Sequence, residues 1–172
     1  MSASPVYTIW LQPSGDIAYQ LQERINKLSK KFDTPSFEPH VTLISGLKRS
    51  ETEMKALLNT LAASVSPFEL TLSKAGYRDT FYQSLFIYVQ KDKILDELRK
   101  RSCRLFDCSE TNSYSPHLSL LYGELSQNEK ERILNAIGRE FYISFSVKSL
   151  VLMRTDGEPR HWEKREAAVF KG

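Results

Sequence analysis

Two short stretches carry the residues best able to do chemistry. "PHVTLISG" fills positions 39–46 and "PHLSLLYG" fills 116–123. Each runs proline, histidine, apolar residue, hydroxyl, leucine, two more residues, glycine. Two of the chain's three histidines, His40 and His117, hold the same place in this repeat. Side chains on a β-strand alternate between faces. His40 and Thr42 therefore share one face, with Val41 and Leu43 on the other. His117 and Ser119 share a face in the same way, opposite Leu118 and Leu120. A single histidine on a half-buried strand is ordinarily structural. A repeated H-x-[S/T] with matching Pro and Leu is poorly explained by packing alone.

Brought together across a cleft, these faces offer two imidazoles and two hydroxyls. Imidazole titrates near neutrality, so one ring can act as base while its twin acts as acid. Hydroxyls can donate to phosphate oxygens without adding a competing negative charge. Neither motif contains a carboxylate, which suits an anionic substrate.

The surrounding elements must position these strands. "VYTIWLQP" (6–13) reads as a strand ending at a proline. Residues 16–31 place Ile17, Leu21, Ile25 and Leu28 at helical spacing, and Lys30 and Lys31 close the last turn. After the breaker "TPSFEP" comes the first motif strand, over 40–45. A helix follows, with Ser50 as N-cap and Glu53 completing a capping box. "FELTLSKAGYRDT" and "YQSLFIYVQ" read as two strands around a turn. Residues 91–106 read as a third helix, with Ile94, Leu95, Leu98 and Leu105 facing inward. The breaker "TNSYSP" leads into the second motif strand, 117–122. A fourth helix opens on the box Ser126 and Glu129. "FYISFSVKSLVLMRT" reads as one long strand, and "DGEP" turns it into a closing strand, "HWEKREAAVF". This order does not alternate regularly enough for a doubly wound parallel sheet. It fits an α+β fold of two related lobes, mostly antiparallel sheet with outer helices and a central cleft, occupying residues 1–172 as one domain.

The 172 residues suffice for a substantial core, and the net charge of +3 is too small to wrap long nucleic acid. A compact anionic substrate fits better, and neither a stable nucleic-acid complex nor a membrane partner is expected. No apolar run approaches the roughly 20 residues of a membrane span. The start "MSASPVYTIWLQP" lacks the pattern of a secretory signal, so a cytoplasmic monomer is expected. Cys103 and Cys108 make no disulfide framework; pairing them would require the third helix to break between them.

The motifs "PHVTL" and "PHLSL", with their histidines 77 residues apart, resemble the paired signatures of the 2H phosphoesterase superfamily. "FEPHVTL", "SPHLSLLYGELS", "YTIWLQP" and "HWEKREAAVF" are similar to its cyclic phosphodiesterases of plant and yeast type. The resemblance implies hydrolysis of cyclic phosphates. Expected substrates are ADP-ribose 1″,2″-cyclic phosphate, a by-product of tRNA splicing, and nucleoside 2′,3′-cyclic phosphates, the latter opened to 2′-phosphates. It implies catalysis by His40 and His117, with His117 as base and His40 as acid by analogy. Thr42 and Ser119 would bind phosphate, with no metal and no cofactor, and activity would peak near neutral pH. Tyr122 matches a tyrosine of that family thought to line the site, although strict alternation puts it opposite His117. Trp10 and Tyr82 are candidate substrate contacts or cleft walls, and His161 reads as an exposed turn residue. The basic run Arg99, Lys100, Arg101 and Arg104 reads as a solvated helix face. Two other readings stand beside this one: an RNA end-processing enzyme (3′ exonuclease or 2′-5′ RNA ligase-like), and an idle nucleotide- or RNA-binding module.

Overall fold

The computed structural model describes residues 5–109 and 113–172. The breaker segment expected over 111–116 begins outside them. Twelve principal elements follow in order: β1 (Tyr7–Leu11), α1 (Gly15–Phe32), β2 (Val41–Leu47), α2 (Glu51–Ala62), β3 (Phe68–Gly76), β4 (Leu85–Val89), α3 (Lys93–Phe106), β5 (His117–Leu121), α4 (Gln127–Ile137), β6 (Glu140–Val147), β7 (Ser149–Arg154) and β8 (Glu163–Val169). Short 3₁₀ turns at Phe81–Gln83 and Pro159–His161 precede β4 and β8.

Local chemistry sets several of these boundaries. Ser50 Oγ accepts from the Glu53 amide to start α2, while the Glu53 carboxylate pairs with Arg49 instead of closing the box. At α4 the reciprocal box of Ser126 and Glu129 is complete. α1 and α3 both stop at an aspartate in the left-handed region, Asp33 (φ 51°) and Asp107 (φ 52°). The break at Asp107 returns the Cys108 amide to the Cys103 carbonyl. The two thiols lie close together and are free, Cys103 buried and Cys108 partly so. On α3, Ile94 is 52 % exposed and does not face inward. It sits one residue, or 100° of helix, from the buried Leu95, and the inward stripe is completed by Cys103 and Phe106.

The eight strands form one antiparallel sheet in the order β6-β3-β4-β5-β2-β1-β7-β8. The α+β architecture and the two related halves are as the sequence indicates, but the halves are edge-joined into a continuous sheet. Each half places a motif strand at the join, β5 from one and β2 from the other. Only Val41 and Leu118 are in register there. The expected long strand over 141–155 is instead two, β6 and β7, parted by Lys148. β6 pairs with β3 at one edge, and β7 lies between β1 and β8 in the other half. A single residue bridges positions that five strands separate in the sheet, so the sheet curls and its far sides converge.

The core lies behind this curl. Val41, Leu43, Leu118 and Leu120 join the buried stripes of the helices in one cluster. α1 packs on β5, and α3 packs on β2. The opposite, concave face carries His40, Thr42, His117 and Ser119, as the alternation predicts. No helix among the described residues is long and apolar enough to cross a membrane.

Candidate active site

The four motif side chains line one cavity of about 360 Å³ at the join of the two halves. The alternation that buries Val41 and Leu118 behind the sheet sends both histidines forward. Each imidazole is fixed in the same manner. His40 Nδ1 lies 2.7 Å from the Glu38 carbonyl, and His117 Nδ1 lies 2.8 Å from the Ser115 carbonyl. A carbonyl oxygen can only accept, so Nδ1 carries the hydrogen and Nε2 of each neutral ring is left with its lone pair. The residue two before each histidine thus sets its tautomer, through backbone rather than side chain.

An aromatic backs each ring. Trp10 stands opposite Thr42 on the neighbouring strand, and Phe86 stands opposite Ser119. Trp10 stacks on His40 with ring centres 3.6 Å apart and planes 6° from parallel. Phe86 meets His117 at 4.9 Å and 56°. Trp10 is therefore a wall of the cavity and the platform of His40, itself only 2 % exposed. Burial pushes the His40 pKa down from 6.5 to about 4, and the nearby His117 adds to the depression. His117 is also lowered, mainly by burial and partly by the Arg78 guanidinium.

The hydroxyls differ. Ser119 Oγ donates to the Tyr82 carbonyl at 3.0 Å. To donate to a ligand it must turn away from that bond. The strand of Thr42 is held from behind. Tyr114 OH donates to the Thr42 carbonyl at 2.9 Å, and Arg99 Nη1 donates to the Leu43 carbonyl at 2.7 Å, with its guanidinium 4.7 Å from the Tyr114 ring. Tyr114 thus ties the approach to the second motif onto the first, beside a join with one registered residue pair. Arg99 has a structural partner on each side, so this member of the basic run is not a solvated cation.

Tyr122 lines the cavity. β5 ends at Leu121, and Gly123 takes φ 132°, so alternation no longer applies. The glycine is required by space as well, since a Cβ there would lie 2.8 Å from Thr34 Cγ2. Tyr122 stacks on Phe37 at 3.6 Å, and burial raises its phenol pKa. Tyr82 is half exposed at the cavity mouth, with its ring 5.3 Å from Tyr122 and 5.9 Å from Trp162. His161 is exposed at the end of its 3₁₀ turn.

Five further lining residues carry no motif signal, Val6 among them. Trp162 packs edge-on to Trp10 at 5.7 Å. Thr8 and Thr155 share a hydroxyl–hydroxyl bond of 2.8 Å at one end, and Gln83 borders the other half. Only Trp162 had a legible cue, a large aromatic in an otherwise polar segment. No group of three or more His, Cys, Asp or Glu able to hold a metal occurs among the described residues.

A curled antiparallel sheet with two H-x-[S/T] strands meeting at its centre defines the 2H phosphoesterase class. TT0787 of Thermus thermophilus superposes over 97 % of this chain and 98 % of its own, with TM-score 0.67 and 18 % identity. Escherichia coli LigT complexed with 3′-AMP does so over 99 % and 100 %, with TM-score 0.62 and 16 % identity. Residues 6–170 match the cyclic phosphodiesterase-like protein family, and the chain belongs to that family. It is 28 % identical over 171 residues to the cyclic phosphodiesterase of Arabidopsis thaliana, covering 95 % of this chain and 93 % of that one. It is also 26 % identical over 143 residues to a 2′,3′-cyclic-nucleotide 3′-phosphodiesterase of Yarrowia lipolytica, covering 77 % and 63 %.

Proposed function

We propose that the enzyme opens cyclic phosphates on small nucleotides, ADP-ribose 1″,2″-cyclic phosphate and nucleoside 2′,3′-cyclic phosphates, without a metal. The observation that supports this best is the matched pair of imidazoles, each locked through Nδ1 on a backbone carbonyl and each leaving Nε2 for the shared cavity. One Nε2 takes a proton from water as its oxygen attacks phosphorus. The other gives a proton to the ribose oxygen as its bond to phosphorus breaks, leaving a phosphomonoester.

Thr42 and Ser119 donate to the non-bridging oxygens as negative charge grows on them. His117 serves as base and His40 as acid. Burial makes His40 a poor base and, once protonated, a strong proton donor. The bound phosphate supplies the negative charge that loads it. An excess of cationic side chains would hold the anionic product as tightly as the substrate. A cavity lined by neutral hydroxyls avoids this.

Turnover of ADP-ribose 1″,2″-cyclic phosphate and of a 2′,3′-cyclic mononucleotide, each in excess chelator, tests the reading. Formation of the phosphomonoester at undiminished rate is expected. Loss of activity in chelator would overturn the metal-free route. A preference for oligonucleotide over mononucleotide would turn the assignment toward RNA ends.

A further inference from the structure

Arg78 belongs to neither motif. It lies on the segment joining β3 to β4, which also supplies the Tyr82 carbonyl to Ser119. Its guanidinium sits 5.7 Å from the centre of the Phe86 ring, and that ring lies 4.9 Å from His117. Arg78 is thus one aromatic ring away from the reacting imidazole. Its Nη1 donates to Gln83 Oε1 at 2.8 Å, and Gln83 lines the cavity. It has no carboxylate partner among the described residues. It is exposed, so its remaining N–H groups are open to a ligand group that extends out of the cavity beyond Gln83.

The segment is built to hold this position. Lys130 of α4 is 3 % exposed, and its ammonium donates to the Arg78 carbonyl at 3.0 Å and to Asp79 Oδ1 at 2.9 Å. The Arg78 amide donates to the Gln83 carbonyl at 2.9 Å, and the Gly123 amide ties the Phe81 carbonyl to the end of the second motif. A buried cation spent on a loop carbonyl fixes where the Arg78 side chain starts. Arg154, Arg160 and Arg165, near the opposite half of the sheet, are all paired with carboxylates.

We infer that Arg78, positioned by Gln83 and the Lys130 clamp, is a specificity-determining residue that engages a second anionic group of the substrate, a phosphate separate from the cyclic one. The inference rests on the cyclic phosphodiesterase reading and adds a selection to it. The cyclic phosphate sits among the motif hydroxyls, where no fixed charge is needed. A second phosphate on the same nucleotide reaches past Phe86 to a planar fork that can bind two of its oxygens. A nucleotide with only the cyclic phosphate leaves the fork in water.

The test compares adenosine 2′,3′-cyclic phosphate with the same nucleotide bearing a 5′-phosphate, on the wild-type protein and on Arg78→Gln. The wild type is expected to favour the 5′-phosphorylated substrate in kcat/KM. Arg78→Gln should cut that preference by about tenfold, the size of one charge-assisted contact at an exposed site. The change should fall mainly on KM. Gln83→Glu, which sets a carboxylate against the guanidinium, should cut the preference in the same direction. Equal losses on both substrates would make Arg78 a general attractor of anions and overturn the inference. An unchanged ratio in both variants would do the same, while leaving the enzyme reading intact. Wild-type protein inert on both nucleotides, and on ADP-ribose 1″,2″-cyclic phosphate, would overturn the enzyme reading and this inference with it.

Discussion

Acidification should destabilise this protein through His40 in a way that can be isolated and measured. The ring is buried against Trp10, and its pKa falls from 6.5 to about 4. In the unfolded chain the same ring binds a proton near 6.5. The unfolded state therefore takes up the proton first as pH falls. Stability is undiminished above 6.5, is lost as pH drops below it, and the loss levels off below about 4. From about pH 8 to about pH 5 the linkage relation gives a loss of about 2 kcal/mol from this one group, and about 3 kcal/mol at its limit. Urea denaturation followed by far-ultraviolet circular dichroism, at the two ends of that interval, measures it. His40→Gln keeps a polar group for the Glu38 carbonyl but cannot titrate. Its stability should fall by about 2 kcal/mol less than that of the wild type over the same interval. The surface carboxylates contribute equally to both proteins and cancel, and the same comparison on a His117→Asn background removes the smaller coupling between the two rings. Parallel losses in the two proteins would refute the account, because His40 would then titrate alike in the folded and unfolded chains.

The remaining predictions concern catalysis and the join of the halves. His117→Asn should lower kcat by about 10²–10⁴ with the fold retained, checked by steady-state turnover beside a circular dichroism spectrum. The kcat/KM profile should be a bell displaced to the acid side of neutrality. Both imidazole pKa values are depressed, and above the higher one no proton remains for the acid; a maximum above about pH 8 would contradict the depressed values. The kcat profile should lie at higher pH than that of kcat/KM, since bound phosphate raises both rings. Tyr114→Phe leaves the Thr42 carbonyl without its buried partner and should cost about 1–3 kcal/mol in denaturant midpoint analysis, with a fall in kcat larger than the change in KM.

The active face was legible because its signal is strictly local. Period-two alternation puts His40 with Thr42 and His117 with Ser119, and both pairs face the cavity. The same rule misplaced Tyr122, because it holds only while the strand lasts. The strand ends at Leu121, and the glycine at 123, with φ 132°, turns the chain away. Trp10 was legible as an aromatic near the site but not as the platform of His40, since stacking at 3.6 Å depends on how β1 is registered on β2. The break at Lys148 hides in a segment with strand-favouring residues on both sides of it. The burial pattern does change there, from alternating in β6 to fully buried through Leu150–Met153 in β7. That change marks a strand covered on both faces. Arg78, Gln83 and Tyr114 reach the site through tertiary contacts, and neither spacing nor composition announces such contacts.

The helix packing carries a consequence for what each half of the molecule could be alone. The half built from β3, β4, β5 and β6 is contiguous, residues 68–147, and interrupts the other half in the chain. It reads like a separable insert. Yet the helix covering its β5 is α1, which belongs to the other half, and its own α3 covers β2 in return. Excised, the segment would expose the apolar back of β5, and the remainder would expose that of β2. Neither fragment would hold a complete core, so the halves are bound to fold and melt together as one cooperative unit. His117 opens β5 and His40 immediately precedes β2, the two strands whose coverings are exchanged. An intact pair of proton-transfer groups therefore exists only where both halves have folded at once.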